Sequence, residues 1–479
     1  MTRALVVGGG VGGLSSAIAL AQRGVEVTVC EAKASVGGLA SALEIEGTRF
    51  DGGPYILLDP AGLTHAFSAL GISLDDLALR RVEDVYEVEA EGAAPVRIFA
   101  DLDATVDLLE RDHPGQGAAY RRLVAATTKI HAALAPLQVR ARPSPFALLR
   151  AGAARHAPFL LRSLAGVLAR AGLRGAVAEA VGIWTHIAGQ PLDAAPSPLA
   201  LVPAMIHGPG CFVPARGVAA VPEAVHRRAL ALGVTIRTGA HVSRIIVEGG
   251  CACGVELASG QRLDADLVIS DASGAATLLE LAPAPPSVRA SVAALPLQSP
   301  GVGAYGLATT PDAERRGPYL RFALGRASDP APCRLLVRPH TLDPDRASEK
   351  VHPARIVAPL AHAVAERLGE RGQLELLDGI LEEPWIRRRV GPFRELARLV
   401  PATWGRRHVL HRDSMNPVMT ARFMRQGRLP HRVPSLDGLF LVGSSTHPGQ
   451  WVSFCLVSGL LGADEAIGWL DERARRGGR

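Results

Sequence analysis

Gly8, Gly10 and Gly13 stand in the spacing G-x-G-x-x-G, and an acid, Glu31, follows 18 residues after the last of them. That combination is suited to holding a dinucleotide. The first glycine permits a tight turn, the second lets backbone approach a pyrophosphate, and the third lets a helix pack close to a strand. Backbone N–H groups at the start of that helix attract the phosphate anion. The carboxylate accepts hydrogen bonds from ribose hydroxyls and repels a 2′-phosphate, which disfavours NADP. A glycine pattern alone is weak, because loops are glycine-rich anyway. Here the context is complete. Residues 4–7 read as a buried strand, 14–23 as an amphipathic helix stopped by Gly24, and 25–29 as a second strand ending at Glu31.

Two further glycine clusters bear on which dinucleotide it is. Val36-Gly37-Gly38 and Phe50-Asp51-Gly52-Gly53-Pro54 follow Glu31 directly, where a dehydrogenase of NAD would more often start another βα unit. They fit a chain running beside an extended cofactor, although two ordinary turns would look alike. More than 400 residues later the pattern returns. Apolar 439–442 meets Gly443-Ser444-Ser445-Thr446-His447-Pro448-Gly449, and a helix reads from Val452 to about Trp469. If that strand joins the first sheet, the helix N-terminus can face a flavin and stabilise negative charge on its reduced ring.

Acid–base and charge candidates are few. His447 titrates in the right range to move a proton beside a hydride position, or else it is a structural histidine of the loop. Arg422 can reach an acidic or polar substrate group, or it is a surface arginine. His186 reads as packed. Met415, Met419 and Met424 cluster in a chain with only five methionines, fit to line an apolar tunnel or fill a core. Only Lys33, Lys129 and Lys350 are available to any mechanism that needs a lysine. The six cysteines are scattered, so they imply neither a disulfide framework nor a zinc site, and no metal is expected. Cys251 and Cys253 read as strand residues.

These residues need a large scaffold to position them. At roughly 150 residues per domain, 479 residues suggest about three domains, or two with interleaved segments. A hydrophobic content of 48% excludes a disordered chain. The middle of the chain supplies the rest of a nucleotide-binding sheet: a helix over 217–232, a strand at 234–237, a hairpin over 242–258, and a buried strand at 266–270. The Pro-rich 282–286 stretch reads as a linker, and 300–424 carries apolar runs such as 333–337 that suit a sheet.

On these residues the chain resembles the flavin-dependent amine oxidase and phytoene desaturase superfamily, most closely its bacterial-type phytoene desaturases. The matching stretches are 4–59, 205–271 and 438–466, with a looser match over 182–209, about half of the chain. The string Leu441-Val442-Gly443-x-x-Thr446-His447-Pro448-Gly449 is the most branch-specific of them. The resemblance implies an α/β fold: a Rossmann-type FAD-binding domain with a three-layer ββα-like sheet, a mixed-sheet substrate domain and a helical lid. The expected division is FAD domain at 1–65, 205–290 and 425–479, lid at 66–204, and substrate domain at 291–424.

The resemblance also implies FAD as cofactor and assigns residues to it. Gly8, Gly10 and Gly13 would hold the pyrophosphate, and Glu31 the adenosine ribose. Gly37 and Gly38 would line the cofactor, and Val242 would meet the adenine through its backbone. Gly443 and Ser444 would contact the phosphate and ribityl side. Val452, Ser453, Pro54 and Tyr55 would lie near the ring. The implied reaction is hydride transfer between an apolar isoprenoid or polyene and flavin, with oxygen or a quinone as final acceptor. Isomerisation and dehydroxylation are related outcomes. An amine oxidase and a non-catalytic FAD-holding scaffold are the alternatives. The chain departs from the desaturases after Pro448-Gly449, where Gln450-Trp451-Val452-Ser453-Phe454 replaces a Gly/Pro-rich segment and would reshape the substrate tunnel.

Between His113 and Ala178 there is no Asp or Glu, while ten Arg or Lys, Arg142 among them, alternate with leucines and phenylalanines. Such a surface fits peripheral contact with anionic lipid, each basic side chain near the surface adding about 1 kcal/mol. A solvated arginine face is the alternative. Nucleic acid is not expected, because aromatic content is only 4% and no recognition motif is present. With no apolar run near the roughly 20 residues of a spanning helix, the expected location is the cytoplasm, peripheral on the inner face of the membrane.

Overall fold

A computed structural model of the chain describes residues 2–140, 145–150, 152–311, 314, 316–342 and 350–477. Five parallel strands form the central sheet: β1 (Arg3–Val7), β2 (Glu26–Cys30), β3 (Thr235–Arg237), β4 (Leu267–Ser270) and β5 (Leu439–Leu441). Their order across the sheet is β5-β4-β1-β2-β3. The register sets Val6 between Val29 and Ile269, and Ile269 beside Phe440.

Strand alternation explains why the sheet sits between two layers. Successive side chains of a strand point to opposite faces. Ala4 and Val6 therefore enter one core with the helices α1 (Val11–Ala21) and α2 (Val452–Gly477), while Leu5 and Val7 enter another. That second core lies under a three-stranded antiparallel sheet of Val242–Glu248, Cys251–Leu257 and Arg262–Asp264. Cys251 and Cys253 are residues of its middle strand. The result is the ββα layering read from the sequence.

α2 is longer than expected and ends at Gly477. Among the described residues it is the one helix long and apolar enough to cross a membrane. Its apolar face is instead core: Leu456, Val457, Ala463 and Ala466 are buried, and Ser15 Oγ of α1 donates to Leu456 O at 2.7 Å.

The second body is a seven-stranded mixed sheet. Its order is Phe393–Leu399, Val302–Thr309, Val351–Ala358, Cys333–Val337, Leu320–Leu324, Asp84–Ala90 and Val96–Phe99. One face packs on the helix His362–Leu381 and the other on helices of the 100–204 region.

Two segments differ from the sequence reading. The 66–204 stretch is not all helix, since Asp84–Ala90 and Val96–Phe99 form a hairpin that extends the substrate sheet. Its signals are local: alternating Val, Tyr and Ile around a turn at Gly92, which has φ +75°. Its sheet neighbour Leu320–Leu324 is far away in sequence and pairs with it in parallel. The Pro-rich stretch is not a free linker either. Ala282 and Ala284 are buried in the second core, and Pro286 opens the helix Pro286–Ala293, where a missing N–H costs nothing.

Candidate functional site

The glycine fingerprint joins β1 to α1 with little room for side chains. Gly8 has φ +94°, a conformation that favours glycine. A Cβ on Gly13 would stand 2.3 Å from Gly8 O, and one on Gly12 would stand 2.8 Å from Gly443 Cα. Gly10 is the N-cap of α1 and has no side chain of its own to bond the first N–H groups, which leaves them to an anion from elsewhere.

Glu31 is buried and turned toward this loop. Its Oε2 accepts from Gly9 N at 2.7 Å and its Oε1 from Lys33 N at 2.9 Å. Gly37 N donates to Gly9 O at 2.7 Å, and a Cβ on Gly38 would lie 3.1 Å from Gly10 Cα. Residues 36–38 are thus stitched to the fingerprint and are not an independent turn. Val242 starts the antiparallel sheet beside this end of β2, where Ala240 N donates to Glu31 O at 2.9 Å.

The C-terminal loop closes the same site. Gly443 has φ +83° and donates to Ser458 Oγ at 2.9 Å. Ser444 carries a hydroxyl bonded to Asn416 Oδ1, and its carbonyl accepts from Arg428 Nη1 at 3.0 Å. Val452 and Ser453 are buried at the start of α2, and Ser453 Oγ donates to Asp59 Oδ2 at 3.0 Å. Pro54 and Tyr55 follow Gly53, whose carbonyl accepts from Arg355 Nη1 at 2.6 Å. The Arg355 guanidinium lies over the rings of Tyr55 and Tyr305, at 5.7 and 5.3 Å.

The two candidate catalytic side chains, His447 and Arg422, lie in different surroundings. His447 Nε2 donates to Leu137 O, at 3.3 Å, and burial pushes its imidazole down to about 4. It is neutral at pH 7 and braces the cofactor loop against the lid helix Gln116–Gln138. Arg422 is exposed at the head of the short helix Ala421–Gln426. The better-shielded guanidinium of this segment is the half-buried Arg428, six residues on. It stacks over Phe423, bonds Met419 Sδ at 3.1 Å, and is pushed down to about 10 by burial, with no carboxylate bonded to it among the described residues. His186 pairs with Glu179 at 3.2 Å.

The sequence reading missed Asp271, Arg355, Arg428 and Asp59. Asp271 had a usable signal. It immediately follows β4, the neighbour of β1, and open α/β sheets bind ligands just beyond the carboxyl ends of such strands. Its carboxyl group accepts from the N–H groups of Gly10 and Gly13, and burial pushes it up to about 7. Among the described residues no group of three or more His, Cys, Asp or Glu is placed to hold a metal ion.

These residues fit a dinucleotide with an anionic centre. The fingerprint N–H groups already take a carboxylate, and the positions where Cβ atoms would obstruct are glycines. Residues 11–467 match the family of flavin containing amine oxidoreductases. The chain belongs to this family. As a member it is an FAD-dependent oxidoreductase. Phytoene desaturases are among its curated relatives, beside a 4,4'-diapolycopene oxygenase of Methylomonas. It is 32% identical over 278 residues to a zeta-carotene-forming phytoene desaturase of Myxococcus xanthus, an alignment spanning 56% of this chain and 53% of that protein. It is 27% identical to a neurosporene-forming phytoene desaturase of Cereibacter sphaeroides, over 100% of this chain and 96% of that one. The fold is shared with putrescine oxidase bound to putrescine, with TM-score 0.65, 18% identity, and coverage of 98% of this chain and 99% of that one.

Proposed function

We propose that the protein desaturates a long apolar isoprenoid or polyene drawn from a membrane surface. The observation that carries this reading is the wall beside the cofactor loop. Trp451 packs into one apolar cluster with Tyr55, Tyr86, Trp184 and Phe322, and it stacks on Phe454 at 4.9 Å. These rings offer apolar faces to a hydrocarbon chain. Aromatic faces also attract cations, so what disfavours an ammonium group here is that none of these five side chains is a carboxylate.

Bound FAD supplies the hydride acceptor, which is the hard part of the chemistry. The chain contributes position and charge. Gly8–Gly13 and Glu31 would hold the pyrophosphate and ribose end. The N-terminus of α2 presents the positive end of its dipole, with Ser453 fixed by Asp59. Arg428 adds a fixed cation beside Ser444. Neutral His447 holds its proton on Leu137 O and so braces the loop. It is poorly suited to take the proton that leaves the substrate near neutral pH.

The second reading, an amine oxidase, rests on the shared fold. The lysines do not favour it. Lys33 Nζ is tied to Gly38 O at 3.0 Å, while Lys129 and Lys350 are exposed. A non-catalytic FAD-holding scaffold is the third outcome of the tests.

Membrane contact has support of its own. Among the described residues the three most exposed large apolar side chains are Phe146, Leu149 and Leu161, at 66%, 65% and 66%. All lie in the acid-free basic segment, and Arg150 stacks over Phe146 at 5.9 Å. Arg142 lies outside the described residues. This surface suits a peripheral position on anionic lipid, which we place at the cytoplasmic face.

The deciding experiment is anaerobic reduction of the bound flavin by acyclic carotenoid precursors in vesicles, with product analysis, beside putrescine as a control. Flavin bleaching with a new conjugated double bond is expected from the polyene alone. Bleaching by the amine alone overturns the reading, and bleaching by neither favours the scaffold. Flotation on anionic vesicles should be lost in a Phe146→Ser, Leu149→Ser, Leu161→Ser variant. Unchanged flotation would refute the membrane surface.

A further inference from the structure

The Asp271 carboxyl group faces the backbone donors that the glycine fingerprint offers to a pyrophosphate. Its carboxyl oxygens lie 2.3 Å from the Cβ positions of both Gly10 and Gly443, so this side chain reaches between the fingerprint and the C-terminal loop. It uses the N–H groups of Gly10 and Gly13, which the fingerprint offers to a phosphate. One set of donors cannot serve two anions. The titratable groups facing it add no compensating charge. Glu31 approaches from the end of β2 and is itself acidic. Cys455, from α2, is a half-buried thiol that desolvation pushes far up and Asp271 raises further. No basic side chain bonds Asp271 among the described residues, and Lys33 is held on Gly38 O.

We propose that Asp271 gates the pyrophosphate cradle, so that FAD enters only as this carboxyl group takes a proton or swings out of the loop, and cofactor loading is coupled to proton uptake. A carboxyl group already pushed up to about 7 by burial needs little further shift to be protonated when two phosphate charges arrive. The inference rests on the assignment of FAD to this loop.

The test is FAD binding to the deflavinated full-length protein between pH 6 and 8.5, followed by flavin fluorescence and by calorimetry in two buffers of different ionisation enthalpy. For the wild type, Kd is expected to rise above neutrality with a slope approaching about tenfold per pH unit, with proton uptake in the calorimeter. Asp271→Asn keeps the size and the hydrogen-bonding capacity without the charge. It should bind more tightly at pH 8.5, with a flat profile and no proton uptake. Asp271→Ala should share the flat profile, which separates loss of charge from a local repacking of the amide. Equal slopes in wild type and Asp271→Asn overturn the gate while leaving the FAD site intact. Weaker binding by both variants at every pH also overturns it, because the carboxylate would then belong to the loaded site. Absence of FAD binding by every form at every pH overturns the site assignment and the gate together.

Discussion

Gly459 is the position where the structure makes its sharpest mechanical demand. It lies in α2 where that helix crosses α1, and a Cβ there would stand 2.3 Å from Gly12 O, 2.7 Å from Ser15 Cβ and 2.9 Å from Ser16 N. None of these is the tip of a flexible side chain, so relief requires the two helices to part by roughly 1 Å. Overpacking of this kind costs about 1–3 kcal/mol. Alanine in place of glycine inside a helix returns about 1 kcal/mol. For Gly459→Ala we expect a net loss of roughly 1–2 kcal/mol at the upper end of that overpacking range. Gly468, nine residues on in the same helix, is the control. It is exposed, with nothing within 4 Å of its Cβ position, so Gly468→Ala should gain about 1 kcal/mol. Urea unfolding of both variants, with saturating FAD and without it, reads the difference in sign. Because Gly12 is pushed together with the fingerprint, Gly459→Ala should also weaken FAD binding, and Gly468→Ala should not. A Gly459→Ala protein as stable as the wild type, with unchanged FAD affinity, would refute the argument that this crossing shapes the cradle.

Other perturbations test separate links. Ser453→Ala removes the hydroxyl that donates to Asp59 and leaves that buried carboxylate with Gly62 N, which it holds at 3.1 Å; a loss of about 1.5–3 kcal/mol in urea unfolding is expected. Glu31→Gln should weaken FAD binding without unfolding the protein, since the amide can keep Gly9 N but accepts less strongly from it and from ribose; equal affinity by fluorescence titration would remove Glu31 from the site. Burial pushes His340 and His408 down to about 3, each with cationic neighbours that add to the effect. The unfolded chain then binds more protons than the folded one between about pH 6.5 and those values, so this contribution to stability falls as pH drops through that window. Asp271, pushed up, contributes with the opposite sign between its ordinary range and about 7. The clean measurement is therefore a difference: His340→Leu should lose less stability than the wild type between pH 7 and pH 5, and parallel losses would contradict the burial argument.

The cofactor half of the molecule is legible because its signals are local. Strand, glycines, helix, strand and acid occupy the first 31 residues, and the chain carries them straight into the sheet. The hairpin at Asp84–Phe99 has equally local signals of alternation and turn. What its sequence cannot show is its partner, because the strand beside it, Leu320–Leu324, comes more than 200 residues later. A stretch of helices on either side made a helical lid the simpler reading, and the pairing overrode it.

Side-chain roles fail to show in sequence for a sharper reason, which is that identity does not fix environment. Arg422 and Arg428 are the same residue type on the same short stretch, and only burial tells the exposed one from the cation behind Ser444. His447 carries the chemistry of a proton donor, yet its ring is spent on a carbonyl 310 residues earlier, and burial keeps it neutral. Asp271 reads as one more acid at a strand end, but the fold aims it at the donors of Gly10 and Gly13. In each case the decisive fact is what another part of the chain places beside the group. The fingerprint, by contrast, brings its own surroundings, since the glycines, the helix start and the strand that define its function are contiguous. That is why the cofactor could be named from sequence, whereas the surroundings of Arg428, His447 and Asp271 had to be read from the assembled fold.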